Sequence, residues 1–395
     1  MPAANAGIFY CSYTDKSFER VFVNYQIITE LKDLERVCQQ AREVDVVMLD
    51  TEFVRTRTFY PILGLIQLFD GKTLSLIDPV ALDDMTPFVS LLQDTSVLKV
   101  LHACGEDLEV FQNSFGCTPF PMVDTQVMAA FLGHGLSTGF ATLVNEFIGI
   151  ELDKSESRTD WVARPLTTRQ LEYAAADVFY LMPLYEKLLE KVTEAGWWEA
   201  AQQESDLLVS KRIKNIDPEM VYTNIKGAWQ LTPQQLAILK PLATWRYQEA
   251  IRRDLALNFV FKEQELWTVA RFSMKNQRQM EQEGIDPRSI RRHGAKIASI
   301  ISAAEQTPED EYPDAIERLM DYPGYKQIFK VLKDEVKRVS QSSGLSPEFL
   351  ASKKQLNQFL NWVWKKNRDS AKLPDVMQGW RLEILGQRLD KLLEA

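Results

Sequence analysis

The sequence predicts an α/β domain followed by two all-α helical-bundle domains. Four apolar runs, rich in β-branched residues and bounded by turn residues, have the length of buried strands. They occupy residues 44–53, 62–70, 74–79 and 97–102. Helical periodicity follows at 105–115, 124–132, 137–147 and from 167 to about 195, and no convincing strand pattern occurs beyond Trp197. Strands mixed with helices, and then helices alone, favour this division.

The helical part divides into two similar pieces. Residues 257–271 and 345–362 each hold a loop, a phenylalanine and a Leu-rich helix, and a further helix follows each of them. The polar segment 307–313 carries two prolines and predicts a linker. We therefore expect a loosely ordered extension, an α/β domain, a helical connector, a bundle, a linker and a second, diverged bundle. These segments are residues 1–22, 23–195, 196–228, 229–306, 307–317 and 318–395.

Composition excludes several classes of protein. No apolar run approaches the roughly 20 residues of a membrane-spanning helix, and the first 22 residues do not resemble a secretion signal. The four cysteines form no Cys-x-x-Cys pair, which favours reduced thiols in a cytoplasmic protein. The three histidines share no ligand spacing, so we expect no zinc site. We also expect a monomer without a nucleotide cofactor.

Charge is distributed unevenly along the chain. The net charge is −9 overall, with −16 over residues 1–209 and +7 over residues 210–303. An acidic catalytic domain beside a basic domain that binds a polyanion would have this pattern. Variation of surface charge between domains without any function is the alternative.

Acidic residues form two local clusters. Asp50 and Glu52 end a predicted strand, and their spacing places both carboxylates on one face. Tyr173 and Asp177 lie four residues apart on one face of a helix. Asp107 begins a helix, where the helix dipole alone would favour an acid. An exposed strand end and an ordinary amphipathic helix are the alternatives for the two pairs.

Together these acids favour a magnesium or manganese site. Oxygen ligands without a cluster of cysteine or histidine suit those hard cations. Two such ions about 4 Å apart stabilise the attacking and leaving oxygens of a phosphoryl displacement. A free tyrosine has a pKa of about 10, so Tyr173 is a poor base and would instead orient a water.

Four segments resemble the ribonuclease D family of 3′–5′ exonucleases, which is marked by three motifs and four acidic residues. They are DTEFVRTRTFYPILGLIQLFDG (50–71), HACGEDLEVFQNSFG (102–116), DKSESRTDWVARPLT (153–167) and YAAADVFYL (173–181). The resemblance extends from about Asn24 to the end. The helical pieces at 229–303 and, more faintly, 320–393 resemble the helicase-and-RNase-D C-terminal (HRDC) domain.

The resemblance implies a ribonuclease H-like α/β exonuclease domain followed by two HRDC domains. It implies two divalent metal ions held by Asp50, Glu52, Asp107 and Asp177, with Tyr173 positioning the water, as in the tyrosine subclass. It further implies release of 5′-mononucleotides from the 3′ end of RNA, and maturation of transfer RNA precursors in a bacterial cytoplasm.

Substrate contacts are predicted near the motifs and in the basic segment. Aromatic side chains stack on terminal bases and basic side chains bind phosphate. The candidates near the motifs are Phe53, His102, Lys154, Arg158 and Trp161. The candidates for the RNA backbone are Arg252, Arg253, Arg288, Arg291, Arg292 and Lys296. For His102, a structural role is the alternative.

Two other functions remain open from the sequence. A DNA 3′–5′ exonuclease would use the same metal site, because selection of RNA depends on contacts to the 2′-hydroxyl. A non-catalytic RNA-binding protein on an exonuclease fold is the second alternative, and the intact acids argue against it.

Overall fold

The computed structural model describes residues 5–12, 18–153, 155–212 and 216–394, with side chains from residue 23 onwards. The chain forms two compact units. Unit 1 comprises residues 1–54, 61–213 and 324–395, and unit 2 comprises residues 55–60 and 214–323. The final helical piece therefore belongs to the same compact unit as the α/β domain.

A mixed sheet forms the centre of unit 1. Over the described residues it has seven strands in the order β1-β2-β5-β4-β3-β6-β7. The strands are β1 (Asn5–Ser12), β2 (Phe18–Ile28), β3 (Val46–Val54), β4 (Ile62–Phe69), β5 (Leu74–Ile77), β6 (Leu98–Leu101) and β7 (Met122–Asp124). β3 lies between antiparallel β4 and parallel β6. The four strands predicted from apolar runs are confirmed as β3 to β6.

Helices cover the sheet of unit 1. They are α1 (Leu31–Ala41), α2 (Thr86–Leu92), α3 (Gly105–Phe115), α4 (Thr125–Phe131), α5 (Phe140–Ile148), α6 (Thr168–Phe179), α7 (Leu181–Glu194) and α8 (Trp198–Arg212). Fully buried Leu34, Phe88 and Phe111 pack in one core with the apolar face of the sheet. α6 lies against β3, β4 and β5, which places its side chains beside the strand that carries the first acids.

The single helix predicted from 167 to about 195 is wrong. α6 ends at Phe179 and α7 begins at Leu181. Pro183, in the first turn of α7, has no N–H, and its ring would clash with the carbonyl of Phe179 in a continuous helix. The chain therefore breaks at Tyr180. α6 begins with a capping box, in which Thr167 and Gln170 satisfy each other's backbone N–H groups.

The expectation of a loosely ordered extension over residues 1–22 is also wrong for the described part. β1 pairs with β2 in antiparallel register from Asn5 to Ser12, and β2 pairs with β5 in parallel, Tyr25 opposite Leu74. The backbone hydrogen bonds of β2 are therefore made partly with β5, about 50 residues away along the chain. The local sequence pattern does not contain that information.

The last helical piece packs on α4 and α8 within unit 1. It contains α14 (Tyr325–Ser343), α15 (Pro347–Leu350), α16 (Lys353–Trp364), α17 (Gly379–Arg381) and α18 (Gln387–Glu394). The Phe131 ring lies 4.7 Å from Phe349 and 4.8 Å from Trp380 between centroids. Arg381 and Glu204 form a buried ion pair beside them, and the Trp380 indole also donates to Glu204 at 3.0 Å.

Unit 2 is a small helical bundle. Its helices are α9 (Pro233–Arg253), α10 (Leu257–Val260), α11 (Glu263–Arg271), α12 (Gln277–Gln282) and α13 (Pro287–Ala304). Its core includes Leu239, Phe261 and Leu266, each at most 1% exposed. The Asp254 carboxylate accepts hydrogen bonds from the backbone of Phe59 and Tyr60, both at 3.0 Å, so residues 55–60 belong to this unit.

The two helical pieces share a local arrangement. In each, a four-residue helix (α10 or α15) is followed by two extended residues and then a longer helix (α11 or α16). The first of the two extended residues, Phe261 or Ala351, has a φ of −157° or −156°. None of the helices in the described part of the chain is long and apolar enough to cross a membrane.

Candidate active site

Three of the predicted acids meet at one point in unit 1. Ligand oxygens of Asp50, Glu52 and Asp177 all lie within 4.8 Å of one another. Asp50 and Glu52 project from the same face of β3, as the strand period predicted, and Asp177 projects towards them from α6. The cluster is therefore formed by two elements that are 125 residues apart along the chain.

Asp107 joins this cluster from α3. It is 7% exposed, and its carboxylate accepts a short hydrogen bond from the hydroxyl of Thr51, the residue between the two acids of β3. Repulsion from Asp107 contributes to the raised pKa values of Asp50 and Glu52. The structure thus brings all four predicted acids together.

The electrostatics of the cluster fit a cation. Burial is the main cause that raises the pKa of Glu52 to about 9, of Asp177 to about 7 and of Asp107 to about 6. Burial and then repulsion from the other three acids raise the pKa of Asp50 well above its usual range. Carboxylates that are costly to ionise together become stable as anions when a divalent cation lies between them. The donor set, all carboxylate oxygen, suits a hard cation.

Tyr173 faces the same cluster from α6. Its hydroxyl is hydrogen-bonded to Asp177, and burial followed by repulsion from Asp177 raises the pKa of the phenol above its usual value. Tyr173 therefore stays protonated and acts as a hydrogen-bond donor, not as a base. Its ring lies 6.1 Å from that of Trp161.

Trp161 does not present a surface to substrate. It is 1% exposed and packs beside Tyr173. The prediction that it binds substrate is not supported by this position, because a fully buried ring cannot stack on a base. Its place beside the Tyr173 ring instead helps to fix that side chain.

Arg164, which was not among the residues predicted from the sequence, fixes the loop that carries Trp161. Its guanidinium forms two hydrogen bonds with Asp78, at 2.7 and 2.6 Å, and a third with the carbonyl of Gly64 at 2.7 Å. A Cβ on Gly64 would lie 2.5 Å from the carbonyl oxygen of Trp161. Gly64 therefore permits the close approach of this loop to β4. The signal in the sequence was a glycine inside a strand.

His102 has a structural position. Thr125 donates its hydroxyl to the Leu101 carbonyl at 3.1 Å, so Nδ1 of His102 donates to Thr125 at 3.0 Å. The other ring nitrogen is buried. Burial lowers the pKa of His102. Neither nitrogen is open to substrate, which favours the structural alternative for this residue.

The other substrate candidates remain predictions. Phe53 is half-buried. The pairing of β3 with β4 shifts register between Glu52 and Phe53. Arg158 is exposed, and Lys154 lies outside the described residues. A cleft of about 410 Å³ begins at Tyr173 and Asp177 and extends along α6 towards residues 151–153 and 155–156. It is large enough for a nucleotide beside the acids.

The basic candidates of unit 2 differ in their partners. Arg252 is paired with Glu249 at 2.7 Å, and Arg253 lies 3.7 Å from the same carboxylate. Arg291, Arg292 and Lys296 are exposed on α13. Their exposure is compatible with phosphate contacts, which stay a prediction.

The raised pKa values predict how stability depends on pH and metal. An unfolded carboxyl has a pKa of about 4, so these acids bind more protons in the folded metal-free protein than in the unfolded chain between about pH 4 and pH 9. The free energy of unfolding therefore falls as the pH rises through this range. We expect Mg²⁺ or Mn²⁺ to raise the melting temperature more at about pH 8 than at about pH 5.

Differential scanning fluorimetry, with chelator or with metal, measures this difference. Glu52→Gln removes one of the repelling charges, so it should reduce both the loss of stability with pH and the gain from metal. Equal pH and metal responses in the wild type and in Glu52→Gln would contradict the assignment of the cluster as a metal site.

Comparison with known proteins identifies the family. A 3′–5′ exonuclease family model matches residues 25–193. An HRDC domain model matches residues 235–301, and a model of the ribonuclease D C-terminal HRDC domain matches residues 323–389. The fold class predicted from the sequence is confirmed by these matches.

Relatives match over nearly the full length. Ribonuclease D of Serratia proteamaculans is 49% identical over 94% of this chain and 100% of its own length. Ribonuclease D of Escherichia coli K12 is 47% identical over 94% of this chain and 99% of its own. The crystal structure of E. coli RNase D, described as an exoribonuclease involved in structured RNA processing, has a TM-score of 0.91 at 47% identity, covering 94% of this chain and 99% of that one. The chain belongs to the ribonuclease D family and is a 3′–5′ exoribonuclease.

Proposed function

We propose that this enzyme trims 3′ extensions from transfer RNA precursors by two-metal hydrolysis, releasing 5′-mononucleotides. The cluster of Asp50, Glu52 and Asp177, with Asp107 near enough to repel Asp50 and Glu52, carries the proposal. The four carboxylates would hold two Mg²⁺ or Mn²⁺ ions. When bound, such ions lower the pKa of a coordinated water and stabilise charge on the phosphate oxygens.

The protein's own residues account for the rest of the chemistry. Asp177 accepts the hydrogen bond of Tyr173, which fixes the phenol at the edge of the metal site. Because its proton is donated to Asp177, the Tyr173 oxygen would orient the attacking water by accepting a hydrogen bond from it, and it does not remove the proton of that water. The cleft that begins at these two residues would receive the terminal nucleotide.

Structured RNA as substrate is supported by the relatives and by charge. The E. coli relative acts in structured RNA processing, and residues 210–303 carry a net charge of +7. The exposed basic residues of α13 are the proposed contacts for the RNA backbone. Phosphate contacts of this kind would make binding weaken as salt rises. Because bacterial transfer RNA precursors are cytoplasmic, we place the enzyme there, acting as a monomer.

One assay tests the proposed function. The protein is incubated with 3′-extended transfer RNA or a matched single-stranded DNA, with Mg²⁺, with Mn²⁺ or with chelator. Stepwise shortening of the RNA to the mature end, 5′-mononucleotide products and loss of activity with chelator are expected. Preference for the DNA, or trimming that continues with chelator, would contradict the proposal.

Tyr173→Phe tests the role of the phenol. Loss of the hydroxyl should lower kcat at saturating metal by roughly 10²-fold, since a misplaced reactant costs about that much. Tyr185→Phe is the matched control, because Tyr185 is also a buried tyrosine, on α7. Single-turnover kinetics measure both. Equal rates for the two variants would contradict the role of Tyr173.

A further inference from the structure

The Asp124 carboxylate, at the end of β7, organises the turn that precedes α3. It accepts hydrogen bonds from the backbone N–H groups of Ala103 at 3.0 Å, Cys104 at 2.9 Å and Gln126 at 2.7 Å. Asp124 is 2% exposed. A buried carboxylate with three backbone donors is firmly fixed, and each bond to an ionised acceptor is stronger than a neutral one.

Capping of α4 explains only part of this arrangement. Asp124 is the residue before α4, and its bond from Gln126 is an ordinary N-cap. The bonds from Ala103 and Cys104 come from a different part of the chain, about 20 residues earlier. They need a separate explanation.

The turn at Ala103 has a conformation that requires support. Ala103 has a φ of +53°, in the left-handed region that non-glycine residues rarely adopt. Gly105 donates its N–H back to the Ala103 carbonyl at 2.8 Å, which closes the turn. The carboxylate of Asp124 binds both residues that define it, Ala103 and Cys104, and so holds the strained backbone in place.

This turn sets the start of the helix that carries Asp107. Cys104 is the residue before α3, and Asp107 is the third residue of that helix. A shift in the turn would move the first turn of α3 and the Asp107 carboxylate with it. The backbone of Asp124 is also fixed, because its N–H donates to the Ser205 hydroxyl at 3.2 Å. Ser205 is fully buried on α8 and donates to the Ala201 carbonyl at 2.8 Å.

We propose that Asp124 is a positioning residue for the Asp107 metal ligand: its carboxylate fixes the Ala103–Cys104 turn and thereby the first turn of α3. The inference rests on the proposed function of the four acids. Asp124 does not touch the reacting atoms. Its contribution is to the geometry of a ligand, and groups that orient ligands typically change metal affinity by 10–100-fold when they are replaced.

Asp124→Asn tests the proposal with the full-length protein. Asparagine has the same shape, but an NH₂ group replaces one of the two oxygens that accept from Ala103 and Cys104, so one of these two bonds is lost. We expect the Mn²⁺ dissociation constant from isothermal titration calorimetry, and the Mn²⁺ concentration for half-maximal trimming, to rise about tenfold. Asp70→Asn is the matched control, since Asp70 also accepts two backbone N–H groups, in the turn between β4 and β5. It should bind Mn²⁺ like the wild type.

The outcomes separate this inference from the proposed function. Wild-type protein that does not bind Mn²⁺ would overturn the metal site itself. Wild-type Mn²⁺ affinity in a destabilised Asp124→Asn would overturn only the positioning role. If Asp124→Asn does not fold, Ala103→Gly is added to it, because glycine adopts the left-handed turn without strain. The double variant should fold and bind Mn²⁺ weakly; failure to fold, or wild-type affinity, would overturn the proposal.

Discussion

Asp50→Ala and Asp177→Asn are each expected to reduce the rate of RNA trimming by about 10³-fold or more. Each removes an oxygen ligand from a site where the carboxylates lie within 4.8 Å of one another. Loss of one preorganised electrostatic group commonly lowers the rate 10²–10³-fold. Where several groups act as one unit, removing one of them can abolish most of the rate enhancement that all of them provide. Single-turnover trimming of 3′-extended RNA measures the loss.

The control for these variants is an acid that is close in sequence but outside the cluster. Glu106 is exposed in the first turn of α3, directly before Asp107. Glu106→Gln should therefore trim within a few-fold of the wild type. The double variant, Asp50→Ala with Asp177→Asn, should trim RNA at nearly the same rate as each single variant. Trimming at the wild-type rate by either single variant would show that the chemistry occurs elsewhere.

Arg381→Met is expected to lower the free energy of unfolding of unit 1 by about 3–5 kcal/mol, the usual cost of leaving one partner of a buried ion pair alone. Arg381 is 3% exposed and Glu204 is 8% exposed. The guanidinium also donates to the carbonyl of Phe349 at 2.9 Å and of Leu350 at 3.1 Å. Removing it leaves a buried charge and two backbone acceptors unsatisfied.

Chemical denaturation measures the free energy of unfolding. Two further variants show how much of the loss in Arg381→Met is caused by the burial of the ion pair and how much by the unpaired charge. Arg388→Met removes a guanidinium that is 3.7 Å from Glu335 and has a side chain 56% exposed, so its effect should stay within about 1 kcal/mol. Adding Glu204→Gln to Arg381→Met removes the stranded charge and should recover part of the lost stability. Equal destabilisation by Arg381→Met and Arg388→Met would contradict the account of this contact.

The sequence was sufficient for the parts of the site that follow a local period. The strand period placed Asp50 and Glu52 on one face, and the helix period placed Tyr173 with Asp177. The four apolar runs marked strands because burial on both faces demands continuous apolar sequence. The resemblance then joined Asp107 to the set. All these statements depend on residues that are close together along the chain.

Contacts between residues that are distant along the chain could not be predicted from these local patterns. From the sequence, Asp124 was only the first residue of the helical pattern at 124–132. Its bonds to Ala103 and Cys104 depend on β6 and β7 lying side by side. In the sequence, Arg164 is one of several charged residues in a polar loop. Its hydrogen-bond acceptor, Asp78, lies 86 residues earlier in the chain, so the pairing is visible only in the structure. The tertiary packing of the chain, which no local pattern reveals, decides the role of such residues.

The same limit applies to whole segments. Residues 323–389 match the second HRDC domain that the resemblance implied, but the sequence did not reveal that Trp380 and Arg381 bind Glu204 of α8 within unit 1. Trp161 was a candidate for substrate binding because of its place in the loop before the third motif, but its ring is buried beside Tyr173. Aromatic and charged residues predict a contact of some kind, and the fold determines which partner each one contacts.

Anomalous scattering from crystals grown with Mn²⁺ would test the metal site most directly. We predict two Mn²⁺ peaks among the carboxylates of Asp50, Glu52, Asp107 and Asp177 in the wild type, and loss of at least one peak in Asp177→Asn. Trimming that requires Mn²⁺, combined with no peak at these four acids or with peaks that are unchanged in Asp177→Asn, would contradict the account.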